Sequence, residues 1–190
     1  MRYIRGMPPS NAEWSTRHSV QATAERTVAL VNALTADTPT PDTIADVLRE
    51  HGEADPVEVT ANDVEDLRAA ALLLRAVFAT DHVDTAASML NRLLRRGVGT
   101  LRLTSHDGQA PWHPHLDSDD NAPWAEWFLA SSCLALTILV WTHQRPPGGL
   151  CASPTCPNVY IPQPNGRPRR YCSRRCATRE RVAAHRRTHH

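Results

Sequence analysis

The chain has 190 residues, 41% of them apolar, which is enough for one core of ordinary size and a small appended module. Its 21 basic and 20 acidic residues give a net charge of +1, which excludes a uniformly basic or acidic protein. The charge is uneven, because residues 151–190 carry nine arginines and one acid, while residues 1–150 carry twelve arginines and nineteen acids. This asymmetry predicts two units with different partners.

Membrane and secretion signals are not evident in the sequence. No apolar run reaches the roughly 18 residues of a membrane span, and the longest, residues 130–141, is typical of a buried helix. Residues 1–14 lack an apolar segment of signal-peptide length. We therefore expect a cytoplasmic protein without a membrane partner, in which paired thiols bind metal more often than they form disulfides.

Helical spacing of apolar residues predicts four helices in the first hundred residues, after a loose lead-in over residues 1–15. They are expected at about 19–35, 43–52, 62–81 and 83–97. Asp42 or Thr43 is the expected cap of the second helix, and Gly52 its end.

A change of period at residue 100 predicts a β-hairpin. Residues 100–106 alternate in polarity, Asp107-Gly108 forms the turn, and two prolines in the second arm favour an edge strand. His113 and His115 lie on the same side of that arm. They form either a polar outer face, which we favour, or a ligand or metal site with Asp117.

A long apolar helix at 122–143 follows the hairpin, and Cys133 is expected to be buried within it. The tryptophans near the hairpin and this helix are expected to form core contacts. They are Trp112, Trp124, Trp127 and Trp141. The sequence has no phosphate-binding glycine loop, no nucleophile elbow and no recognisable set of nucleophile, base and orienting group, so no enzyme is predicted.

Four consecutive breaker residues at 146–149 mark a domain boundary. We predict an α+β protein with a predominantly α-helical domain and a small β-hairpin over residues 1–145. A linker at 146–150 then leads to a treble-clef-like four-cysteine zinc module over residues 151–190.

The cysteines of the last forty residues form two close pairs. Cys151 and Cys156 are separated by four residues, and Cys172 and Cys176 by three. Two such pairs with a loop between them are the usual arrangement of a tetrahedral four-thiolate zinc site. A disulfide pair, reactive thiols, an iron–sulfur cluster and ligation by His185 and His189 are the less favoured alternatives. We expect one structural Zn²⁺ per chain, worth on the order of 10 kcal/mol of folding free energy.

The loop between the pairs is expected to form a second hairpin, with strands over 159–162 and 167–172 and a turn at 164–166. A helix capped by Ser173 follows, so the second cysteine pair is expected at a helix N-terminus, where the positive end of the dipole favours thiolates. Four thiolates leave no open position, which argues against hydrolysis at this metal.

The arginines predict a nucleic-acid surface. On a helix over 173–187, Arg175, Arg179 and Arg186 form one stripe, and Arg174 and Arg181 a second. Arg167, Arg169 and Arg170 add to this surface from the loop. A basic surface of this kind suits contacts with nucleic-acid phosphates and leaves base contacts open. The alternative is a protein-interaction adaptor, whose arginines meet an acidic protein or the acidic first unit.

Residues 151–156 (CASPTC) and 165–187 (NGRPRRYCSRRCATRERVAAHRR) resemble the CGNR zinc-finger family, although the signature reads Cys-Ala-Thr-Arg at 176–179. The segment LVNAL at 30–34 supports the resemblance. The resemblance implies that the four cysteines bind zinc, that the N-terminal domain is largely helical, and that the protein is a DNA-binding transcription regulator. A small-molecule effector or a protein partner would act on the N-terminal domain, and a homodimer remains open.

Overall fold

The computed structural model describes residues 19–96, 99–108, 110–162 and 169–188. The described helices are α1 Val20–Leu34, α2 Pro41–Glu50, α3 Ala61–Phe78, α4 Val83–Arg96, α5 Trp124–His143 and α6 Arg174–Thr188. The strands are β1 Arg102–Thr104, β2 His113–His115, β3 Gly149–Leu150 and β4 Val159–Tyr160. The pairs β1–β2 and β3–β4 are both antiparallel. The predicted α+β class, mostly helical with a small hairpin and a cysteine module, is confirmed.

Side-chain caps explain where three of the helices begin. Ser19 accepts a hydrogen bond from Ala22 N at the start of α1, and Thr60 and Asp63 form a capping box at the start of α3. The prediction that Asp42 or Thr43 caps α2 is wrong, because Thr40 is the cap and proline occupies the first helical position. The fixed φ of proline suits that position.

The central element is α5, which packs against α1, α3 and α4. Phe128, Cys133 and Leu136 of α5 are fully buried, and burial raises the pKa of the Cys133 thiol to about 12. Among the described helices, α5 is the one that is long and apolar enough to cross a membrane. Its contacts with three other helices give it the position of a core helix, and the predicted burial of Cys133 is confirmed.

Two of the four tryptophans form the expected core contacts. Trp124 and Trp127 are buried and meet edge to face, with ring centroids 5.4 Å apart. The prediction is wrong for Trp112 and Trp141, which are 71% and 74% exposed. Trp112 precedes an edge strand, and Trp141 lies in the exposed last turn of α5, so neither ring is covered by a second layer of the described elements.

The hairpin joins β1 to β2, with Arg102 opposite His115 and Thr104 opposite His113. His106, Asp107 and Gly108 in the connecting turn all have positive φ. The expectation that His113 and His115 form a polar outer face is wrong, since both side chains line a cavity against α1 and α5.

The cysteine module packs directly on the helices. Val159 of β4 is fully buried and Ile161 is buried, and both belong to the same apolar core as α1, α3 and α5. Arg75 of α3 donates a hydrogen bond to the carbonyl of Pro157 at 3.1 Å. The division into 1–145 and 151–190 stays a prediction, but Gly149 and Leu150 of the predicted linker form strand β3.

The partner of the predicted strand over 159–162 differs from the expected one. Only Val159–Tyr160 of this segment form a strand, β4, which pairs with β3, and Arg169–Tyr171 form no strand. Cys151 N donates to the carbonyl of Asn158 at 2.8 Å. This bond closes the loop between β3 and β4, which contains the first two cysteines. The predicted turn at 164–166 and residues 1–15, Gly97, Arg167 and His189 lie outside the described residues.

Candidate metal centre

The sulfur atoms of Cys151, Cys156, Cys172 and Cys176 all lie within 4.8 Å of one another. The Sγ atom of Cys172 is 3.5 Å from that of Cys156 and 3.7 Å from that of Cys176. A tetrahedral ion with metal–sulfur bonds of about 2.3 Å separates its ligands by about 3.8 Å. The spacing therefore fits a single ion, and the four cysteines form a metal-binding cluster.

Two local structures bring the cysteines together. Cys151 follows β3, and a tight turn in which Cys156 N donates to Ser153 O at 2.9 Å supplies the second sulfur. Cys172 precedes α6 and Cys176 lies in its first turn, where Cys176 N donates to Ser173 Oγ at 3.2 Å. The predicted place of the second pair at a capped helix N-terminus is confirmed.

The thiols differ in how readily they ionise. Burial raises the pKa of Cys172 to about 12 and also raises the pKa of Cys156, whereas the hydrogen bond with Ser173 lowers the pKa of Cys176 to about 7. Four thiolates at contact distance repel one another unless a cation lies between them. A divalent ion supplies that charge and deprotonates its thiol ligands.

A layer of polar contacts surrounds the sulfurs. Arg179 Nη2 lies 2.6 Å from Ser153 Oγ and 3.7 Å from Cys176 Sγ, and Ser153 Oγ donates to Glu180 Oε1 at 2.5 Å. These contacts tie the first cysteine turn to α6. Neither Ser153 nor Glu180 was predicted for the site; the only available signal was that Glu180 is the single acid of residues 151–190.

A second arginine supports the segment before α6. Arg169 Nε donates to Tyr171 O at 2.8 Å, and Arg169 Nη2 also donates to Cys172 O. Arg169 and Arg179 were both predicted to contact nucleic acid. In the structure their side chains make hydrogen bonds around the cysteine cluster.

All the predicted nucleic-acid arginines that the structure describes are exposed. Five of them make no side-chain hydrogen bond or ion pair with another described residue: Arg170, Arg174, Arg175, Arg181 and Arg186. His185, an alternative ligand, is exposed on α6, and the cluster among the described residues consists of the four cysteines.

Comparison with known families agrees with this geometry. Residues 149–189 match the family model of the CGNR zinc finger, which confirms the resemblance seen in the sequence. The match covers the cysteine module and α6. No curated protein matches the chain significantly.

Proposed function

We propose that the protein is a zinc-dependent, DNA-binding transcription regulator of the cytoplasm, whose C-terminal module contacts nucleic-acid phosphates through arginine. The observation that carries this proposal is the orientation of the charges on α6. Glu180, the one acid of residues 151–190, accepts a hydrogen bond from Ser153, and its side chain is only 19% exposed. The arginines around it are exposed. The outer face of α6 is therefore positively charged.

Zinc is the ion that suits the cluster best. A tetrahedral set of four sulfurs is typical of zinc or of iron–sulfur sites, and the match to a zinc-finger family favours zinc. Four protein ligands complete the coordination of zinc and leave no position for water, so its role is structural. One Zn²⁺ per chain would hold α6 against the first cysteine turn.

The arginine surface suits a nucleic-acid backbone. Helix α6 has 15 residues and is therefore about 22 Å long, sufficient to lie across several phosphates or in the major groove. Every phosphate that an arginine neutralises releases counterions, so binding weakens as salt rises. The remainder of the chain, whose acids outnumber its arginines, would respond to a small-molecule effector, a protein partner or a second copy.

The proposal is tested by measuring duplex DNA binding by the zinc-loaded full chain over a series of salt concentrations. We expect the logarithm of the binding constant to fall linearly with the logarithm of the salt concentration. The triple variant Arg174→Ala, Arg175→Ala, Arg181→Ala should lose most of this binding. Its matched control removes three exposed helix arginines elsewhere, Arg68→Ala, Arg92→Ala, Arg95→Ala, with the same change in charge.

Equal losses in the two triple variants would show that only total charge matters, and would overturn the assignment to α6. Absence of DNA binding in the zinc-loaded protein would overturn the proposal and favour the adaptor. The metal itself is tested by zinc content, which should fall by one ion per chain in Cys172→Ser and stay unchanged in Cys133→Ser.

A further inference from the structure

Three histidines of the hairpin converge in a cluster that is distinct from the four cysteines. His106 lies in the turn after β1, and His113 and His115 lie in β2. The Nε2 atom of His113 is 3.0 Å from Nε2 of His115 and 3.2 Å from Nε2 of His106. Two imidazoles on a tetrahedral ion, with bonds of about 2.0 to 2.1 Å, place their nitrogens about 3.3 to 3.4 Å apart. The observed spacing is close to that of a three-imidazole metal site.

The other nitrogen of each ring is held by an acceptor. His113 Nδ1 lies 2.7 Å from the carbonyl of Pro111, His115 Nδ1 lies 2.8 Å from Asp117 Oδ1, and His106 Nδ1 lies 3.1 Å from Asp120 Oδ2. Carbonyls and carboxylates accept hydrogen bonds, so each Nδ1 carries the proton. In the neutral rings each Nε2 then has a lone pair, and these lone pairs face one another.

Facing lone pairs repel, and a cation between them removes the repulsion. Histidines that bind a metal typically donate the other N–H to a carboxylate or a backbone carbonyl, which sets the tautomer and the ring orientation. All three rings show this second contact. The arrangement is that of metal ligands rather than of a solvated strand face.

The acceptors are themselves held in place. Arg102 bridges the two carboxylates, with Nη2 2.9 Å from Asp117 Oδ1 and Nη1 2.7 Å from Asp120 Oδ1. Thr104 Oγ1 donates to Asp120 Oδ2 at 2.9 Å. The Asp117 side chain is only 5% exposed, so its charge is buried with its partners. This polar layer spans both strands and the loop before α5.

We propose that His106, His113 and His115 bind one divalent first-row transition-metal ion through their Nε2 atoms, at a site separate from the four-cysteine cluster. Imidazole ligands suit zinc, copper, iron and nickel. The carboxylates nearest the rings are engaged by Nδ1 atoms and Arg102, so the described residues supply three ligands. A three-ligand site keeps a position for water or a small anion, as catalytic rather than structural zinc sites do.

That fourth ligand has a place to lie. The three histidines line a cavity of about 140 Å³, whose opposite wall is formed by residues of α1 and α5, among them Arg26, Ser131 and Trp127. The Arg26 guanidinium in that wall is paired at 3.2 Å with Glu53, which also lines the cavity, so the pair offers polar groups without a net charge. The metal centre would therefore face a small, partly enclosed space between the hairpin and the helices, suited to a small oxygen-donor ligand.

The test is the metal content of the full chain, measured by plasma mass spectrometry after growth with zinc and removal of loosely bound metal. We expect two ions per chain in the wild type, and one in His113→Asn and in His115→Asn. The matched controls His82→Asn and His143→Asn change exposed histidines and should keep both ions. Cys172→Ser should lose the other ion, so failure of the histidine site and failure of the finger give different results.

X-ray absorption of the wild type gives a measurement that does not depend on the folding of any variant. We expect a mixed first shell of sulfur and imidazole nitrogen, and a nitrogen and oxygen shell alone for the ion that remains in Cys172→Ser. A wild-type shell of sulfur alone, with one ion per chain and no change in His113→Asn, would show that protons rather than metal bridge the rings, and would overturn the proposal.

Discussion

The side-chain amide of Asn32 in α1 pairs with the backbone of Val159 in β4 as a neighbouring strand would. Val159 N donates to Asn32 Oδ1 at 2.8 Å, and Asn32 Nδ2 donates to Val159 O at 3.1 Å. Both polar groups of Val159 are thereby satisfied on the side that faces the helices, which allows its side chain to be fully buried. This pair joins the cysteine module to the helical core.

Asn32→Ala should therefore lower the free energy of unfolding of the protein. The substitution removes two hydrogen bonds and leaves a buried backbone N–H and C=O without partners, which costs about 1 to 3 kcal/mol. The measurement is the free energy of unfolding from a denaturant titration of the zinc-loaded chain. Asn91→Ala, at an exposed position of helix α4, is the control and should change stability by less than about 0.5 kcal/mol. Equal effects of the two substitutions would contradict the role of Asn32.

Arg179→Ala should lower the affinity of the cysteine cluster for zinc. Arg179 contacts both Ser153 Oγ and Cys176 Sγ, and loss of such an outer contact typically costs about 10- to 100-fold in metal affinity. Competition with a chromophoric chelator measures the change. Arg175→Ala removes an equally charged, exposed side chain of the same helix that makes no side-chain hydrogen bond or ion pair with a described residue, and should leave zinc affinity unchanged. If both variants release zinc alike, charge alone is responsible.

Arg181→Ala should change the salt dependence of DNA binding rather than the zinc content. Loss of one phosphate contact reduces the slope of log binding constant against log salt by about 0.9. Arg68→Ala, on the exposed face of helix α3, is the control and should leave the slope unchanged. An unchanged slope in Arg181→Ala would place this side chain outside the DNA contact.

Local patterns account for the parts of the structure that were predicted correctly. Helical periodicity depends on neighbours three and four residues apart, so the extents of α1, α3 and α5 follow from the sequence. The cysteine cluster is also local in this sense, because each pair closes within one turn. The spacing of the pairs was sufficient to place all four sulfurs around one point.

Contacts between distant residues could not be predicted in the same way. Asn32 and Val159 are 127 residues apart, and nothing in the pattern around either residue indicates the other. His106 joins His113 and His115 because three consecutive residues of the turn adopt positive φ and fold the chain back. In the sequence, only Asp107-Gly108 indicated that turn. The distances between the imidazole nitrogens of the three histidines could not be predicted from it.

Arg26→Met should be strongly destabilising, because Arg26 of α1 is a buried charged residue, with 8% of its surface exposed. The guanidinium donates hydrogen bonds to Glu53 Oε1 at 3.2 Å and to Ser131 Oγ at 3.1 Å. Its central carbon lies 4.2 Å from the centre of the Trp127 ring. Removing one partner of a mostly buried ion pair costs about 3 kcal/mol, because the other charge stays desolvated. Thermal and denaturant unfolding measure the loss.

The contrast is with Arg49→Met, which removes ion pairs to the exposed Asp46 and Asp55. Exposed pairs contribute less than about 1 kcal/mol each, so this variant should remain close to the wild type. Adding Glu53→Gln to Arg26→Met should recover part of the lost stability, because it removes the unpaired charge. No recovery in the double variant would assign the effect to lost packing against Trp127.

Gly148→Ala tests whether the segment before Cys151 is a linker or a packed junction. A Cβ atom at this position would overlap the carbonyl oxygen of Tyr160 and lie 2.7 Å from a ring carbon of Phe78. Because the first obstacle is backbone, β4 must move, and we expect a loss of about 1 to 3 kcal/mol. At Gly149 the nearest atoms belong to the movable end of the Tyr160 side chain, so Gly149→Ala should cost less. If both variants had the unfolding free energy of the wild type, the segment would be a loose linker.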